Sequence, residues 1–182
     1  PGEHIAVTGP SGSGKSTLAS LLARLMDPDQ GAVLADGQDI RAFAGDEWRQ
    51  RVALLSQDAH LFNESIAENL RLAFPQASEA LLWEVLAAVQ LDQTVRGFSR
   101  GLETPVGELG GQVSGGEGRR LALARTLLKQ SPIVVLDEPF TGLDSAIAGR
   151  VRTGIRPWLE GRSVVYLLHE SPGAGLVQRV IS

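Results

Sequence analysis

The amino-acid sequence predicts an α/β domain with a mainly parallel sheet, and three observations support this fold class. Short apolar runs alternate with segments of helical periodicity, which is the pattern of strand–helix–strand units. The chain has 182 residues, enough for one domain with its own core. Hydrophobic residues make up 43% and charged residues 21%, as in ordinary globular proteins.

Six apolar runs are the predicted strands. Their short length and their content of β-branched residues favour buried strands over helices. The runs are Ile5–Thr8, Ala32–Ala35, Val52–Leu55, Ile133–Leu136, Val164–Leu168 and a last one around Arg179–Ile181. The second run is followed by Asp36-Gly37, which is a turn signal.

Helical periodicity predicts three further elements. A first helix should end at about Met26, because Pro28 cannot continue it. Ser78 is suited to cap a helix over Glu79–Val89, whose leucines and valines repeat at helical spacing. A later helix is expected over about Glu117–Lys129.

The middle of the chain, from Ser65 to about Arg96, has helical patterns and no segment typical of a strand. We therefore expect a sheet-containing core made of about residues 1–58 and 130–182. A helical lobe of about residues 59–129 would then be inserted between the third strand and the later strands.

Composition excludes several classes of function. The net charge is −4, so no basic field indicates a nucleic-acid partner. Cysteine is absent, which excludes a disulfide framework and a thiolate metal site. No apolar run approaches the ~18–20 residues of a membrane-spanning helix. The chain opens directly into a strand, without a secretory signal, and we expect it to be a piece of a larger polypeptide.

A glycine-rich loop connects the first strand to the first helix. Its residues match the pattern Gly-x4-Gly-Lys-Ser, and the predicted nucleotide contacts are Gly9, Pro10, Ser11, Gly12, Ser13, Gly14, Lys15, Ser16 and Thr17. In this context the backbone N–H groups and the helix N-terminus cradle phosphates. Lys15 can reach the β- and γ-phosphates of ATP, and the Ser16 hydroxyl can bind Mg²⁺. The alternative is a turn that merely joins a strand to a helix.

Two carboxylates end the apolar strand Ile133–Leu136. Asp137 at the strand tip can hold Mg²⁺, directly or through water. Glu138, one residue further on, is placed to accept a proton from an attacking water. Without the glycine-rich loop, a buried strand followed by solvated acids would be an equally good interpretation.

Further motifs resemble those of ABC ATPases, in the order that this family has. Ser114-Gly115-Gly116 before a helix resembles the signature motif, Gln57 the Q-loop glutamine, Asp144 the D-loop aspartate and His169 the switch histidine. From Lys15 to Ser114 is 99 residues, and from Ser114 to Asp137 is 23. The resemblance implies the P-loop NTPase fold with a RecA-like core, and it implies antiparallel strands before residue 1.

The resemblance also implies a division of roles. Glu138, His169 and Gln57 would be catalytic, and Ser16, Gln57 and Asp137 would hold Mg²⁺. Two such domains pack head to tail in this family. Ser114, Gly115 and Gly116 would therefore contact the ATP of a second ABC ATPase domain, and Asp144 would couple the two sites.

Flanking segments resemble the exporter branch of the family. They are His60–Leu70 after the Q-loop glutamine and Thr104–Gly110, which is similar to the x-loop. The resemblance implies a transmembrane domain upstream in the same polypeptide, at the cytoplasmic face of a bacterial inner membrane. It also implies export of a substrate that this segment does not reveal. No residue before Gly9 is an aromatic adenine platform, so we expect weak nucleotide binding by the isolated piece.

Two residues differ from those that ABC ATPases usually have in these motifs, and they indicate a subgroup of the exporters. Glu117 stands where the signature motif usually has Gln, and Pro139 follows Glu138 where many exporters have Ala. These segments resemble the CydC-type subunit of heterodimeric thiol-reductant exporters, which are linked to cytochrome bd assembly. Because a carboxylate near a phosphate is disfavoured unless it is paired or turned away, we expect two unequal nucleotide sites. A soluble ABC ATPase and a non-catalytic regulatory half remain as alternatives.

Overall fold

A computed structural model describes residues 2–106, 113–170 and 176–182, and it confirms the α/β class. Five parallel strands form the main sheet, and a short antiparallel hairpin forms a second one. The main strands are β1 (His4–Thr8), β4 (Val52–Leu55), β5 (Ile133–Asp137), β6 (Ser163–Leu168) and β7 (Arg179–Ile181). The hairpin strands are β2 (Leu34–Ala35) and β3 (Gln38–Asp39). The helices are α1 (Lys15–Leu22), α2 (Gly45–Arg51), α3 (Ile66–Arg71), α4 (Glu79–Ala88), α5 (Asp92–Gly97), α6 (Gly115–Leu128) and α7 (Ser145–Leu159).

The main sheet has the order β4-β5-β6-β1-β7, so the first strand of the chain lies between two of the last. In the registers of β1 with β6 and of β5 with β6, Thr8 lies opposite Leu168 and Asp137 lies opposite Leu167. The carboxyl ends of β1, β5 and β6 therefore meet at one edge of the sheet. In parallel α/β sheets this edge is where ligands bind.

The second predicted strand is shorter than predicted and lies outside the main sheet. Only Leu34–Ala35 of that run is a strand, and it pairs antiparallel with Gln38–Asp39 outside the main sheet. The turn between them has φ values of 49° at Asp36 and 80° at Gly37. Two positive φ values are typical of a type I′ turn, which the Asp-Gly pair favours.

The first helix is shorter than predicted, ending at Leu22 rather than near Met26. Arg24 has a φ of 50°, and the Leu25 N–H donates to the Ser20 carbonyl at 2.8 Å, which closes the last turn. Arg24 Nη1 donates to the carbonyls of Ile40 and Phe43 at 3.2 and 2.6 Å. The helix thus ends next to Arg24, whose side chain is hydrogen-bonded to a distant part of the chain.

Contacts along the chain divide the described residues into two compact units. The sheet unit contains the described residues up to Gln57, Ser131–Glu138 and those from Gly161 onward. Its core includes Trp48, 4% exposed, whose indole Nε1 donates to the Leu22 carbonyl at 2.9 Å.

The helical unit contains the described part of Asp58–Gln130 together with Pro139–Glu160. Its core is formed by leucines and a valine of α4 and α6, all of them at most 2% exposed: Leu82, Val85, Leu86, Leu121, Leu123 and Leu127. Ser78 caps α4 as predicted, since its side chain accepts from the Leu81 N–H. Arg120 of α6 donates to the Gln90 carbonyl at 2.5 Å, just beyond the end of α4. Burial lowers the pKa of Arg120.

Helices α4 and α7 are in close contact at Gly154. A Cβ atom at this position would overlap the carbonyl oxygen of Ala88, whereas a Cβ at Gly149 of the same helix meets nothing within 4 Å. We expect Gly154→Ala to lower the free energy of unfolding by about 1–3 kcal/mol, because the helices must separate. Gly149→Ala should raise it by about 0.5–1 kcal/mol through helix propensity.

Urea denaturation of the two variants and the parent chain, followed by circular dichroism, measures both effects. The two glycines lie in one helix, so their difference isolates the contact with Ala88. Equal stability of the two variants would show that α7 does not need this close approach.

Candidate functional site

The glycine-rich loop between β1 and α1 has a backbone that only glycine adopts easily at two positions. Gly12 has a φ of 80° and Gly14 a φ of 91°. A Cβ at Gly9 would lie 2.8 Å from Oγ and 3.3 Å from Cβ of Ser13, so glycine there also avoids crowding of the Ser13 side chain. The loop conformation thus depends on three glycines that the motif contains.

Helix α1 begins at Lys15 without a side-chain cap on its first turn. By contrast, α3, α4, α6 and α7 are each capped by the side chain of the residue before them: Ser65, Ser78, Ser114 and Asp144. An uncapped first turn points backbone N–H groups and the positive end of the helix dipole toward the loop. This is the arrangement that binds phosphate.

Lys15 is only 8% exposed, and its ammonium lies against the loop backbone. Nζ donates to the carbonyls of Gly9 and Pro10 at 2.7 and 2.9 Å. The lysine is therefore held within the curve of the loop. A phosphate oxygen bound there would have a cation beside it.

Ser16 and Asp137 meet across the sheet edge although 121 positions separate them in the chain. Ser16 Oγ donates to Asp137 Oδ2 at 2.7 Å, and Asp137 is 1% exposed. Mg²⁺ prefers such hard oxygen ligands, and it is usually held by one or two carboxylates together with phosphates and water. The donor set therefore fits Mg²⁺ bound along with a nucleotide.

Glu138 is buried and hydrogen-bonded to the histidine after β6. Its Oε1 lies 2.6 Å from Nε2 of His169, and its backbone N–H donates to the Leu167 carbonyl at 3.0 Å. The φ of Glu138 is 51°, a left-handed conformation that costs about 1–3 kcal/mol in a residue other than glycine. Such strain is kept where the surrounding structure determines it, and it is common at functional sites.

A cavity of about 190 Å³ brings most of the predicted residues of the sheet unit together, while Gly9, Pro10 and Ser13 line a second one. Its lining consists of Ser11, Gly12, Gly14, Lys15, Ser16, Thr17, Gln57, Glu138 and His169. A second cavity of about 740 Å³ shares Gly14, Lys15 and His169 with the first, and apolar atoms of Val7 and Leu18 line part of it. The described residues thus offer a polar recess next to a larger and more apolar one, which suits a triphosphate joined to a nucleoside.

The predicted signature residues lie in the helical unit, at the start of α6. Ser114 is the N-cap residue, and Gly115 and Gly116 form the first turn. Asp144 caps α7 by accepting from the Ile147 N–H at 2.9 Å. The sequence predicts contacts of these residues with a second domain, and their roles remain predictions.

Two features of the site region are not apparent from the motifs. The left-handed backbone at Glu138 is one of them, since propensity disfavours it there. The other is Asn69, fully buried, whose side chain donates to the carbonyls of Phe62, Glu64 and Ser65 and accepts from the Phe62 N–H. A buried amide that makes four backbone contacts holds the segment after Gln57 in place, and a buried Asn in an apolar helix is the signal that could have revealed it.

Two other expectations concern residues around the motifs. Of the segment predicted to resemble the x-loop, Thr104–Val106 is described, and the rest lies outside the described residues. Tyr166 lies in β6, which the sequence predicts as a strand over Val164–Leu168, and it is 1% exposed, so its ring is part of the core. Burial raises the pKa of its hydroxyl.

A family model, curated relatives and a solved structure that are similar to this chain all belong to ABC transporters. A model of the family described as "ABC transporter" matches residues 1–141. The chain is 40% identical over 172 residues to the ATP-dependent lipid A-core flippase of Cupriavidus metallidurans, which is 93% of this chain and 29% of that protein. It is 40% identical over 168 residues to the β-(1→2)glucan export ATP-binding/permease protein NdvA of Agrobacterium fabrum, covering 92% of this chain and 29% of that protein.

A solved structure, that of a bacterial Atm1-family ABC exporter with ATP bound, is also similar. The TM-score is 0.86 at 36% sequence identity, over 93% of this chain and 30% of that chain. The chain therefore spans less than a third of these relatives. None of the helices in the described ranges is long and apolar enough to cross a membrane.

Proposed function

Because the chain belongs to the ABC transporter family, we propose that it is the ATP-binding and ATP-hydrolysing motor domain of an ABC exporter. One observation carries the proposal. The phosphate loop, Gln57, Glu138 and His169 line one cavity, and Ser16 of that loop is bonded to Asp137. These side chains come from four separate segments of the chain, and together they supply a cation, a hard-oxygen donor set and a buried carboxylate.

Each side chain of the cavity has a distinct proposed task. Mg²⁺-ATP, when bound, supplies a phosphoanhydride bond whose hydrolysis releases free energy. Lys15 and the N–H groups of α1 hold phosphate oxygens, and Ser16 and Asp137 hold the metal together with Gln57. The Glu138 carboxylate accepts a proton from water. His169, bonded to Glu138 Oε1, keeps that carboxylate in a fixed orientation.

The proposed partner is a second ABC ATPase domain that packs head to tail on this one. Ser114, Gly115 and Gly116 would then contact the nucleotide held by the partner domain. A transmembrane domain in the same polypeptide, at the cytoplasmic face of a bacterial inner membrane, would use the motion of the two domains. Two relatives that are exporters or flippases by name support this assignment over a soluble ABC ATPase.

The finer assignment concerns the transported substrate. We propose a CydC-type half of a heterodimeric exporter of cysteine or glutathione, linked to cytochrome bd assembly. The support is the sequence around Glu117 and the segment Glu138–Asp144, which depart from the pattern of many homodimeric exporters. Export of a lipid or a glucan is the competing assignment, because the relatives reported above carry those names.

Reconstitution of the full-length protein into vesicles tests the proposal. We expect hydrolysis of ATP that stops when Mg²⁺ is chelated, and ATP-dependent movement of a solute across the vesicle membrane. Cysteine, glutathione and a lipid-linked glycan are the solutes to compare, each with ADP in place of ATP as the control. Hydrolysis without movement of any solute would favour the soluble alternative, and movement of the glycan alone would contradict the thiol assignment.

A further inference from the structure

The carboxylate of Glu117 occupies both hydrogen-bond donors of Ser114. Its Oε2 accepts from the Ser114 N–H at 2.8 Å and from the Ser114 hydroxyl at 2.7 Å. The Glu117 N–H in turn donates to Ser114 Oγ at 3.4 Å. These bonds form a capping box at the first turn of α6.

The first turns of α1 and α6 are both proposed to bind phosphate, but they differ in how they are capped. At α1 the first turn has no side-chain cap, and the lysine of the loop adds a positive charge. At α6 a negative side chain of the same helix covers the N-cap residue. Hydrogen bonds to a carboxylate are about twice as strong as those between neutral groups, so this cap is a firm one.

We propose that Glu117 is an intramolecular competitor of the partner domain's ATP at Ser114. The inference rests on the proposed function, because it requires that Ser114 meet a nucleotide held by a second domain. Glu117 is then the residue that sets how tightly this chain completes the partner's site. It makes the two composite sites of the dimer unequal whenever the second chain has a neutral residue at the same position.

The competition follows from the number of donors. Ser114 has one N–H and one O–H, and a single oxygen of Glu117 accepts from both. A phosphate oxygen can bind them only after the carboxylate rotates away, which removes the capping box. The displaced carboxylate then remains close to the phosphate, where like charges repel. Both effects weaken binding, together by about 5- to 30-fold.

The same helical unit contains a matched control. Ser65 and Glu68 form a second capping box at the start of α3, with Oε2 accepting from the Ser65 N–H at 2.9 Å and from its hydroxyl at 2.7 Å. The sequence assigns Ser65 no role toward a nucleotide. Loss of the Glu68 charge therefore weakens the cap of α3 just as loss of the Glu117 charge weakens the cap of α6. No competition with a nucleotide is proposed at α3, so any effect of the cap alone appears in both variants.

The experiment measures binding of a non-hydrolysable ATP analogue with Mg²⁺ to the full-length protein assembled with its partner domain. Glu117→Gln removes the charge and keeps an acceptor for the cap, and Glu117→Ala removes both. We expect Glu117→Ala to bind the analogue about 5- to 30-fold more tightly at the site that Ser114 completes. Glu117→Gln should gain less, but at least about threefold, because its amide oxygen can still accept from Ser114 while the repulsion is gone. For Glu117→Gln, the gain should shrink between about 0.05 and 0.5 M salt, because screening weakens the repulsion in the parent protein.

Two controls separate the possible failures. Glu68→Gln should leave the affinity unchanged, and equal gains for Glu68→Gln and Glu117→Gln would overturn the inference, as would a gain below about threefold for Glu117→Gln. Lys15→Ala reports on the proposed function itself. If that variant binds the analogue as the parent does, the proposed nucleotide site is wrong. If it loses binding while Glu117→Gln has no effect, only the role of Glu117 is wrong.

Discussion

Replacement of Glu138 by glutamine is expected to slow ATP hydrolysis by the full-length protein by about 10²- to 10⁴-fold, which is the usual contribution of a general base. The glutamine has the shape of the native side chain and can still bond to Nε2 of His169, but it cannot accept a proton from water. Its amide also leaves the Ser16–Asp137 pair intact. Binding of ATP should therefore persist while turnover is lost.

The measurement is a comparison of steady-state hydrolysis with equilibrium binding of ATP for the same variant. Glu170→Gln is the control, because Glu170 is exposed and lies one residue after His169. Its hydrolysis rate should match that of the parent protein. Unchanged hydrolysis in Glu138→Gln would favour the alternative in which this chain only regulates a catalytic partner.

Lys15→Ala is expected to weaken ATP binding by on the order of 100-fold, because it removes the ammonium that the phosphate loop contributes to the wall of the smaller cavity. Without that ammonium, the carbonyls of Gly9 and Pro10 also lose their donor. The loop would then present acceptors rather than a donor to a phosphate. Hydrolysis falls with binding in this variant, unlike in Glu138→Gln.

Affinity for Mg²⁺-ATP measured by calorimetry tests this expectation. Lys129→Ala removes the other lysine of the chain and controls for the change in net charge. Thermal unfolding of both variants shows whether the loop still folds. If Lys15→Ala and Lys129→Ala bind ATP equally well, the ammonium of Lys15 has no part in holding phosphate.

Much of the sheet unit could be predicted from the sequence because its signals are local. Buried parallel strands are short apolar runs, and the predicted strand Val52–Leu55 matches the structure residue for residue. The glycine-rich motif specifies its own conformation through Gly12 and Gly14, where φ is positive. Asp137 could be placed near the loop because the carboxyl ends of parallel strands share one edge of a sheet.

The rest depends on contacts that no local pattern contains. The end of α1 is accompanied by hydrogen bonds from Arg24 to carbonyls that lie 16 and 19 positions away. Helix α7 has two glycines and an internal proline, which lower helix propensity, and Gly154 is needed only because Ala88 packs against it. Ser114 and Glu117 have the spacing of a capping box, but they also belong to the segment that resembles the signature motif. The sequence therefore does not show whether Glu117 bonds to Ser114. The position of the Glu117 side chain is set by the fold and is visible only in three dimensions.

The position of β1 in the sheet has a consequence for how the protein is made. Strand β1 is synthesised before both of its neighbours in the sheet, β6 and β7, and more than 150 residues separate it from them in the chain. Until these two strands are synthesised, both edges of β1 lack their final partners, and such open edges invite pairing with other chains. Asp137 likewise is synthesised 121 residues after Ser16. A nascent chain therefore lacks the proposed Ser16–Asp137 metal site until strand β5 has been synthesised.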